Sequence, residues 1–351
     1  MHARLVQQLA GDMGFCLCGI TRPQAVTPEV RHAFKTYLAH GRHAGMSWLE
    51  RHQSKRFNPR LLVPGVRTII VLALAYACPV DPVPQTSGRV SCYALAADYH
   101  DQAIAMAVRL AETVSARLGS GTRYRVFVDT APVLERQLAA RAGVGFIGKN
   151  TCLIHPHRGS FFFLAEIFLN RRLPGSTATP FGGCGGCALC LSACPTGALE
   201  APYTLNARRC ISYLTIENRG TIPLELRPMV GNRVFGCDTC QLVCPFNRGR
   251  LSPVSGCQPR LSHSIPLQEL LAVTPAEFTR RFAGLPVMRA RWQGFMRNVL
   301  CAAGNSGDAN LLAPVGRYQG HALALIKEMA HWACAEIKKR GRRDSNSRPP
   351  A

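Results

Sequence analysis

Sulfur carries the most conspicuous chemistry in this chain. Residues 184–195 read CGGCALCLSACP, with thiols at 184, 187, 190 and 194 followed by a proline. Residues 236–247 read GCDTCQLVCPFN, with thiols at 237, 240 and 244 and again a proline, and Cys210 stands between the two runs. The first run has the C-x2-C-x2-C-x3-C-P spacing of bacterial ferredoxins, in which the last cysteine serves the other cluster. Three thiolates close together in a tight loop reach three corners of a cubane, and a fourth beyond a turn points away from it. Eight thiols therefore divide into two fours: Cys184, Cys187, Cys190 and Cys244 for one [4Fe-4S] cluster, and Cys194, Cys210, Cys237 and Cys240 for the other. The second half departs from a symmetric ferredoxin, because the remote Cys210 replaces one member of its triplet. Structural zinc is the competing reading of paired C-x2-C motifs. Two Cys-Pro crossovers fit two cubanes better.

Outside the sulfur, polar chemistry concentrates in residues 128–154, VDTAPVLERQLAARAGVGFIGKNTCLI. Asp129 sits at the end of a predicted strand and before a predicted helix. An apolar, enclosed setting that raised its pKa would make it a general acid. The plainer role is an N-cap for the helix, and the two are compatible. Gly143, Gly145 and Gly148 match a dinucleotide-binding spacing, but they follow a helix rather than a strand, so the loop reads as a close backbone approach to some ligand rather than an NAD site. In DYHDQA, residues 98–103, an alanine replaces the glycine of a D-x-H-x-x-G cobalt-histidine pattern. Cys16, Cys18, Cys78, Cys301 and Cys334 lie in apolar stretches and read as core; Cys152 and Cys257 lie near loops, and Cys92 is the spare cysteine to watch.

The elements that must position these groups follow from periodicity. RTIIVLALAY at 67–76 reads as a buried strand, DQAIAMAVRLAETVSARL at 101–118 as an amphipathic helix, and YRVFVDT at 124–130 as a strand. VLERQLAARAG follows as a helix with Pro132 near its first turn, and FFFLAEIFL at 161–169 as a third strand. The alternation predicts an α/β or α+β core over the first 180 residues, its strand order unreadable. Residues 171–183, rich in Gly, Pro, Ser and Thr, mark a boundary. The cysteine stretch has little apolar content and, as a small unit, would need a metal to hold it. Beyond it, TPAEFTRRFAG, ARWQGFMRNVLCAAG and GHALALIKEMAHWACAEIKKR have helical spacing, and the polar, basic end reads as disordered.

Sixteen cysteines in 351 residues do not make a small disulfide scaffold. The first twenty residues read as an amphipathic helix running into a strand, not an export signal. With no apolar run long enough to span a bilayer, the expected compartment is the reducing cytoplasm, with no membrane partner. The formal charge of +22, from 42 Lys and Arg against 20 Asp and Glu, favours a polyanion such as nucleic acid. Coding bias towards arginine is the bland alternative.

The chain resembles the epoxyqueuosine reductases. The resemblance covers about residues 5–335 and rests on RLLVPGVRTII, YALAADYHD, FVDTAPVLERQLAARAGVGFIGKNT, GSFFFLAEI, CGGCALCLSACPTGAL, PYTLNARRCISYLTIENRG, GNRVFGCDTCQLVCPFN and TPAEFTRRFAG in that order. It implies a cobalamin-dependent enzyme with two [4Fe-4S] clusters that reduces epoxyqueuosine at the tRNA wobble position. Asp129 would be the proton donor, with Arg56, Cys92, Lys149, Ser212 and Thr215 lining the cobalamin pocket. It further implies a cobalamin-binding domain over 1–180, a ferredoxin-like domain over 181–250, a HEAT-like helical unit over 251–340 and a disordered basic tail over 341–351. A low-potential electron donor and a monomeric state complete the expectation. The sequence departs from the family pattern where alanines replace Gly-Arg in AADYHD and where Ala165 replaces a glycine.

Overall fold

The apolar run near residue 70 forms strand Thr68–Ala75 in a computed structural model that describes residues 3–76, 81–176, 182–248 and 258–346. It lies inside a four-stranded sheet ordered Leu17–Thr21, Thr68–Ala75, Phe162–Leu169, Tyr124–Phe127. Every pairing is antiparallel, with Ile20 opposite Ile70, Leu72 opposite Ala165 and Val126 opposite Ile167. The core is therefore α+β. The central strand lacks hydrophobic alternation because both faces are covered: Ile70, Leu72 and Leu74 enter one apolar cluster, and Ile69, Val71 and Ala73 enter another.

Helix Tyr99–Leu118 covers the first face. Asp98 caps it by accepting from His100 N, and Ala103, Met106, Ala107, Leu110, Ala111 and Val114 form its buried stripe. Val6 and Ala10 of helix Ala3–Asp12 join the same cluster. Helix Glu135–Arg141 covers the other face through Leu138 and Ala139. It starts three residues after Pro132, so that proline belongs to the loop ahead of the helix rather than to its first turn.

A second sheet joins distant parts of the chain. Strand Ser87–Val90 pairs in parallel with Arg233–Phe235 and antiparallel with Ser264–Pro266. One apolar cluster takes in Val90, Ala94 and Leu95, the stretch from Ile211 to Phe235, and the C-terminal helices to Ile337. The cysteine region is thus not a self-contained unit short of apolar residues: Ile211, Leu214, Ile222, Leu226, Val230, Val234 and Phe235 anchor it in that core. Helix Arg291–Ser306, buried almost throughout, packs against helix Ala324–Asn346. They approach closely at Gly304, where a Cβ would stand 2.6 Å from the Trp332 ring. The last helix continues to Asn346, so the segment from 341 expected to be disordered is helical up to that residue, and 347–351 lie outside the described residues. Cys78 and Cys257 also lie outside them; Cys301 and Cys334 are buried as expected, and Cys16 and Cys18 are partly so. No helix among the described residues is long and apolar enough to cross a membrane.

Candidate active site

The two Cys-Pro runs fold alike. Cys187 N donates to Cys184 O, and four-residue helices Leu189–Ser192 and Thr239–Leu242 follow the opening thiols of each run. Each helix closes with a bond back from the Cys-Pro cysteine: Cys194 N to Leu191 O in one, Cys244 N to Gln241 O in the other. Cys210 caps helix Ile211–Ile216. Neighbouring thiols act on one another. Burial raises the Cys190 pKa first, and then the charges of Cys184 and Cys244 do so. The Cys244 thiol is raised by burial and feels Cys184 and Cys187. Cys210, pushed up to about 11 by burial, feels Cys237 and Cys194. Cys240 is raised first by its contact with Cys152, then by burial, and also by Cys237 and Cys210. Cys152 is a ninth thiol beside them, in contact with Cys240 and acting on Cys244.

The surrounding side chains pin the backbone of these loops. Thr215 is fully buried; its hydroxyl donates to Ile211 O at 2.7 Å and accepts from Gly236 N at 2.9 Å, joining the neighbours of Cys210 and Cys237. Asn298, on the buried C-terminal helix, donates to Thr215 O and Val234 O at 2.8 and 2.9 Å. Arg297 beside it holds the carbonyls of Leu214, Asn218 and Gly220. At the other run, Asn247 accepts from Ser160 N and donates to Gln241 O. Asp238 is buried and accepts from Ser91 Oγ at 2.5 Å and Cys92 N at 2.9 Å.

Asp129 lies two residues beyond strand Tyr124–Phe127, with its side chain 62 % exposed. Its φ of +56° is a left-handed conformation that costs a non-glycine residue on the order of 1–3 kcal/mol. Its backbone N–H donates to Glu135 Oε1 at 2.7 Å, folding the first-turn acid of the next helix back under the loop. Tyr99 donates its hydroxyl to Asp129 Oδ2 at 3.2 Å, and His100 Nε2 stands 3.4 Å from the same oxygen. The other imidazole nitrogen, Nδ1, is 2.6 Å from Asp98 Oδ1. Tyr99 stacks between His100 and Phe163 at ring separations of 4.2 and 3.8 Å.

These contacts reverse the expected electrostatics of Asp129. His100 beside the carboxylate holds its pKa below the usual range, outweighing burial, so it is an ionised group rather than an acid raised by enclosure. In return, Asp129 and then Asp98 raise His100 to about 9 against the effect of its burial. Burial and then the charge of Asp129 push Glu135 up to about 7. Glu166, fully buried on the strand beneath, is raised well above the carboxylate range by burial, and among the described residues neither of its oxygens has a hydrogen-bond partner.

The other residues singled out in the sequence are spread across this architecture. Arg56 borders a small cavity behind the Asp129 loop, with Pro132, Leu134 and Arg141, and donates to Trp48 O at 3.0 Å. Lys149 clamps the first cysteine loop: its Nζ donates to Gly185 O and Cys187 O at 2.7 and 2.9 Å, and its backbone N–H to Cys184 Sγ at 3.4 Å. Cys92 is buried and disulfide-bonded. Ser212 is half-buried on the helix capped by Cys210. Sequence reasoning missed Tyr99, Glu135 and Glu166, and it considered His100 only as a cobalt ligand. The D-x-H spacing at a helix start was the available signal, since a capping aspartate there also reaches a histidine two residues on.

Tyr93 links the two parts. Burial pushes its phenol far up, and the charges of Asp238, beside Cys237, and of Glu217 and Asp129 act in the same direction. Its ring lies 6.5 Å from Phe163 and 6.1 Å from Phe235.

Known families, relatives and solved structures resemble this chain as follows. Residues 183–247 match a family described as a 4Fe-4S double cluster binding domain, and residues 56–130 match one described as epoxyqueuosine reductase QueG, DUF1730. The epoxyqueuosine reductase of Xanthomonas campestris is 40% identical over 343 residues, covering 95% of this chain and 96% of the relative. Among solved structures, an epoxyqueuosine reductase with an epoxyqueuosine-modified tRNA-Tyr stem loop superposes with a TM-score of 0.85 at 30% identity, over 99% of this chain and 94% of that one. The Bacillus subtilis enzyme, with its catalytic aspartate loop swung out of the active site, also gives 0.85, at 29% identity over 98% and 94%.

Proposed function

The chain belongs to the epoxyqueuosine reductase family, and from that premise we propose that it reduces the epoxide of epoxyqueuosine at the tRNA wobble position to the alkene of queuosine. The reaction breaks two C–O bonds, forms a C=C bond, consumes two electrons and two protons, and releases the oxygen as water. The observation that carries the reading is the pairing of two four-thiol sets with a solvent-facing aspartate that has a histidine at its back.

All-sulfur donors in fours suit [4Fe-4S] clusters. Cys184, Cys187, Cys190 and Cys244 hold one, and Cys194, Cys210, Cys237 and Cys240 hold the other. Cobalamin, when bound, supplies the low-potential chemistry that a protein side chain lacks. The chain's residues fit it mainly as a wall. Ser212 is partly open, whereas Thr215, Lys149 and Cys92 are committed to the cluster loops and the core and act by shaping the cradle. Arg56 supports the Asp129 loop from behind. Tyr93 packs on Phe235, two residues before Cys237, and on Phe163, which stacks on Tyr99 of the Asp129 corner, so its surroundings join the two regions that a bound cobalamin would have to serve. Asp129, ionised at rest, passes to the departing oxygen a proton held on its pair with His100.

The charge of +22 suits a tRNA partner, whose wobble base must be splayed out of its loop to be read. The C-terminal helices form a HEAT-like docking unit. The protein acts as a cytoplasmic monomer fed by a low-potential donor.

Anaerobic reconstitution tests the cofactor set. Two cubanes of four irons give about eight irons per chain, together with a corrinoid absorbance. A reconstituted protein that takes up no corrinoid would overturn the cobalamin assignment.

A further inference from the structure

The epoxide oxygen leaves as water and so takes up two protons, while one carboxyl carries one. This stoichiometry rests on the epoxide-reductase reading. Asp129 is the exposed acid of the site, and its oxygen Oδ2 has two protein neighbours, the Tyr99 hydroxyl and His100 Nε2. His100 is turned for this contact from behind: its Nδ1 is fixed on Asp98, the residue that also caps the helix through His100 N. Among the described residues its Nε2 makes no hydrogen bond and is shielded from solvent, and the Asp129 oxygen at 3.4 Å is its ion-pair contact.

We propose that His100, held by Asp98, supplies the proton that the ionised Asp129 passes to the leaving oxygen, and that the pair is reloaded once from solvent in each turnover, so that one carboxyl serves both protonations. The balance closes: two electrons from the donor and two protons, one resident on the Asp129–His100 pair and one taken up from solvent, convert the epoxide to alkene and water. His100 is a positioning and proton-supplying residue, because it reaches the oxygen only through Asp129. Four groups face it: Asp98 from its own first turn, Tyr99 stacked on its ring, Asp129 from the loop, and Glu135 from the helix behind the loop. Arg289, from the C-terminal part, acts on Asp129. The ring is therefore set among carboxylates and remains cationic through neutral pH, up to about 9.

The test is single-turnover reduction of an epoxyqueuosine stem loop by reconstituted holoenzyme, across pH, for the wild-type chain, His100→Gln and His100→Gly with added imidazole. Iron and corrinoid content and RNA binding are measured alongside. The wild type should hold its rate until pH approaches about 9. His100→Gln should lose roughly tenfold or more at pH 8, with its fall-off displaced to lower pH and the gap narrowing towards pH 5.5. Imidazole should restore the alkaline part of the profile in His100→Gly. A uniform loss at every pH, an unchanged profile, or no rescue by imidazole would overturn the relay while leaving the reductase reading intact. A wild-type holoenzyme inactive at every pH would instead remove that reading, and the relay with it.

Discussion

The thiol cradle and the Asp129 corner lie in the same molecule but are held in opposite ways. Around the thiols, buried side chains satisfy the backbone on both sides: Thr215 joins the neighbours of Cys210 and Cys237, Asn298 locks the next carbonyls, and Asn247 ties the second run to Ser160. Asp129 instead stands exposed in a left-handed conformation, touching its histidine at 3.4 Å, above a glutamate with no hydrogen-bond partner. A cluster needs its ligands fixed before the metal arrives, because misplacing one thiol costs a bond. A proton donor must meet a substrate atom and withdraw, so strain and exposure are tolerable there. In the Bacillus subtilis relative the catalytic aspartate loop is found swung out of the site.

The hardest way to break this contrast is at the sulfur. Cys194→Ala and Cys210→Ala should each remove the same cluster, leaving about four of the eight irons and one electron paramagnetic resonance signal, and abolish turnover. Cys184→Ala should remove the other signal. If Cys194→Ala and Cys184→Ala lost the same signal, the crossover would be wrong. At the corner, Asp129→Asn should lower turnover by roughly 10²- to 10⁴-fold with iron content and RNA affinity unchanged; loss of the clusters in this variant would show that the two regions are not separable.

The sequence made the first region far more legible than the second. The thiols lie in two short runs, where local spacing limits which sulfurs can share a cubane, and Cys210 was the remaining thiol between them. The Asp129 corner is assembled from residues 98–100, 129–135 and 166, which meet only through a sheet order that periodicity does not give. Glu166 illustrates the difficulty. The strand FFFLAEIFL is legible, but that helix Glu135–Arg141 covers the face of Glu166 and leaves it buried is not. The general-acid reading of Asp129 depends on an enclosure that would raise its pKa; the side chain is instead largely exposed, and the histidine beside it, which the sequence did not bring there, holds the pKa down.

Smaller perturbations sharpen the comparison. Thr215→Val leaves the Gly236 N–H without its acceptor in a buried place and should cost about 1–3 kcal/mol, read as a lower melting temperature of the apoprotein. The smallest expected effect is a pH dependence. The folded pKa of His100, about 9, exceeds the 6.5 of an unperturbed imidazole. Its pairing therefore contributes fully below pH 6.5 and is lost as pH rises through about 9. Denaturant titrations should show stability falling over that window in the wild type, and the fall should be largely absent in His100→Gln.

The most direct measurement of the whole account is nucleoside mass spectrometry of an epoxyqueuosine-containing tRNA stem loop after incubation with the reconstituted, reduced holoenzyme under anaerobic conditions. The account predicts that the modified nucleoside loses its epoxide oxygen and becomes queuosine, with the rest of the stem loop unchanged. A holoenzyme with its full complement of iron and corrinoid that leaves the epoxide intact would contradict it.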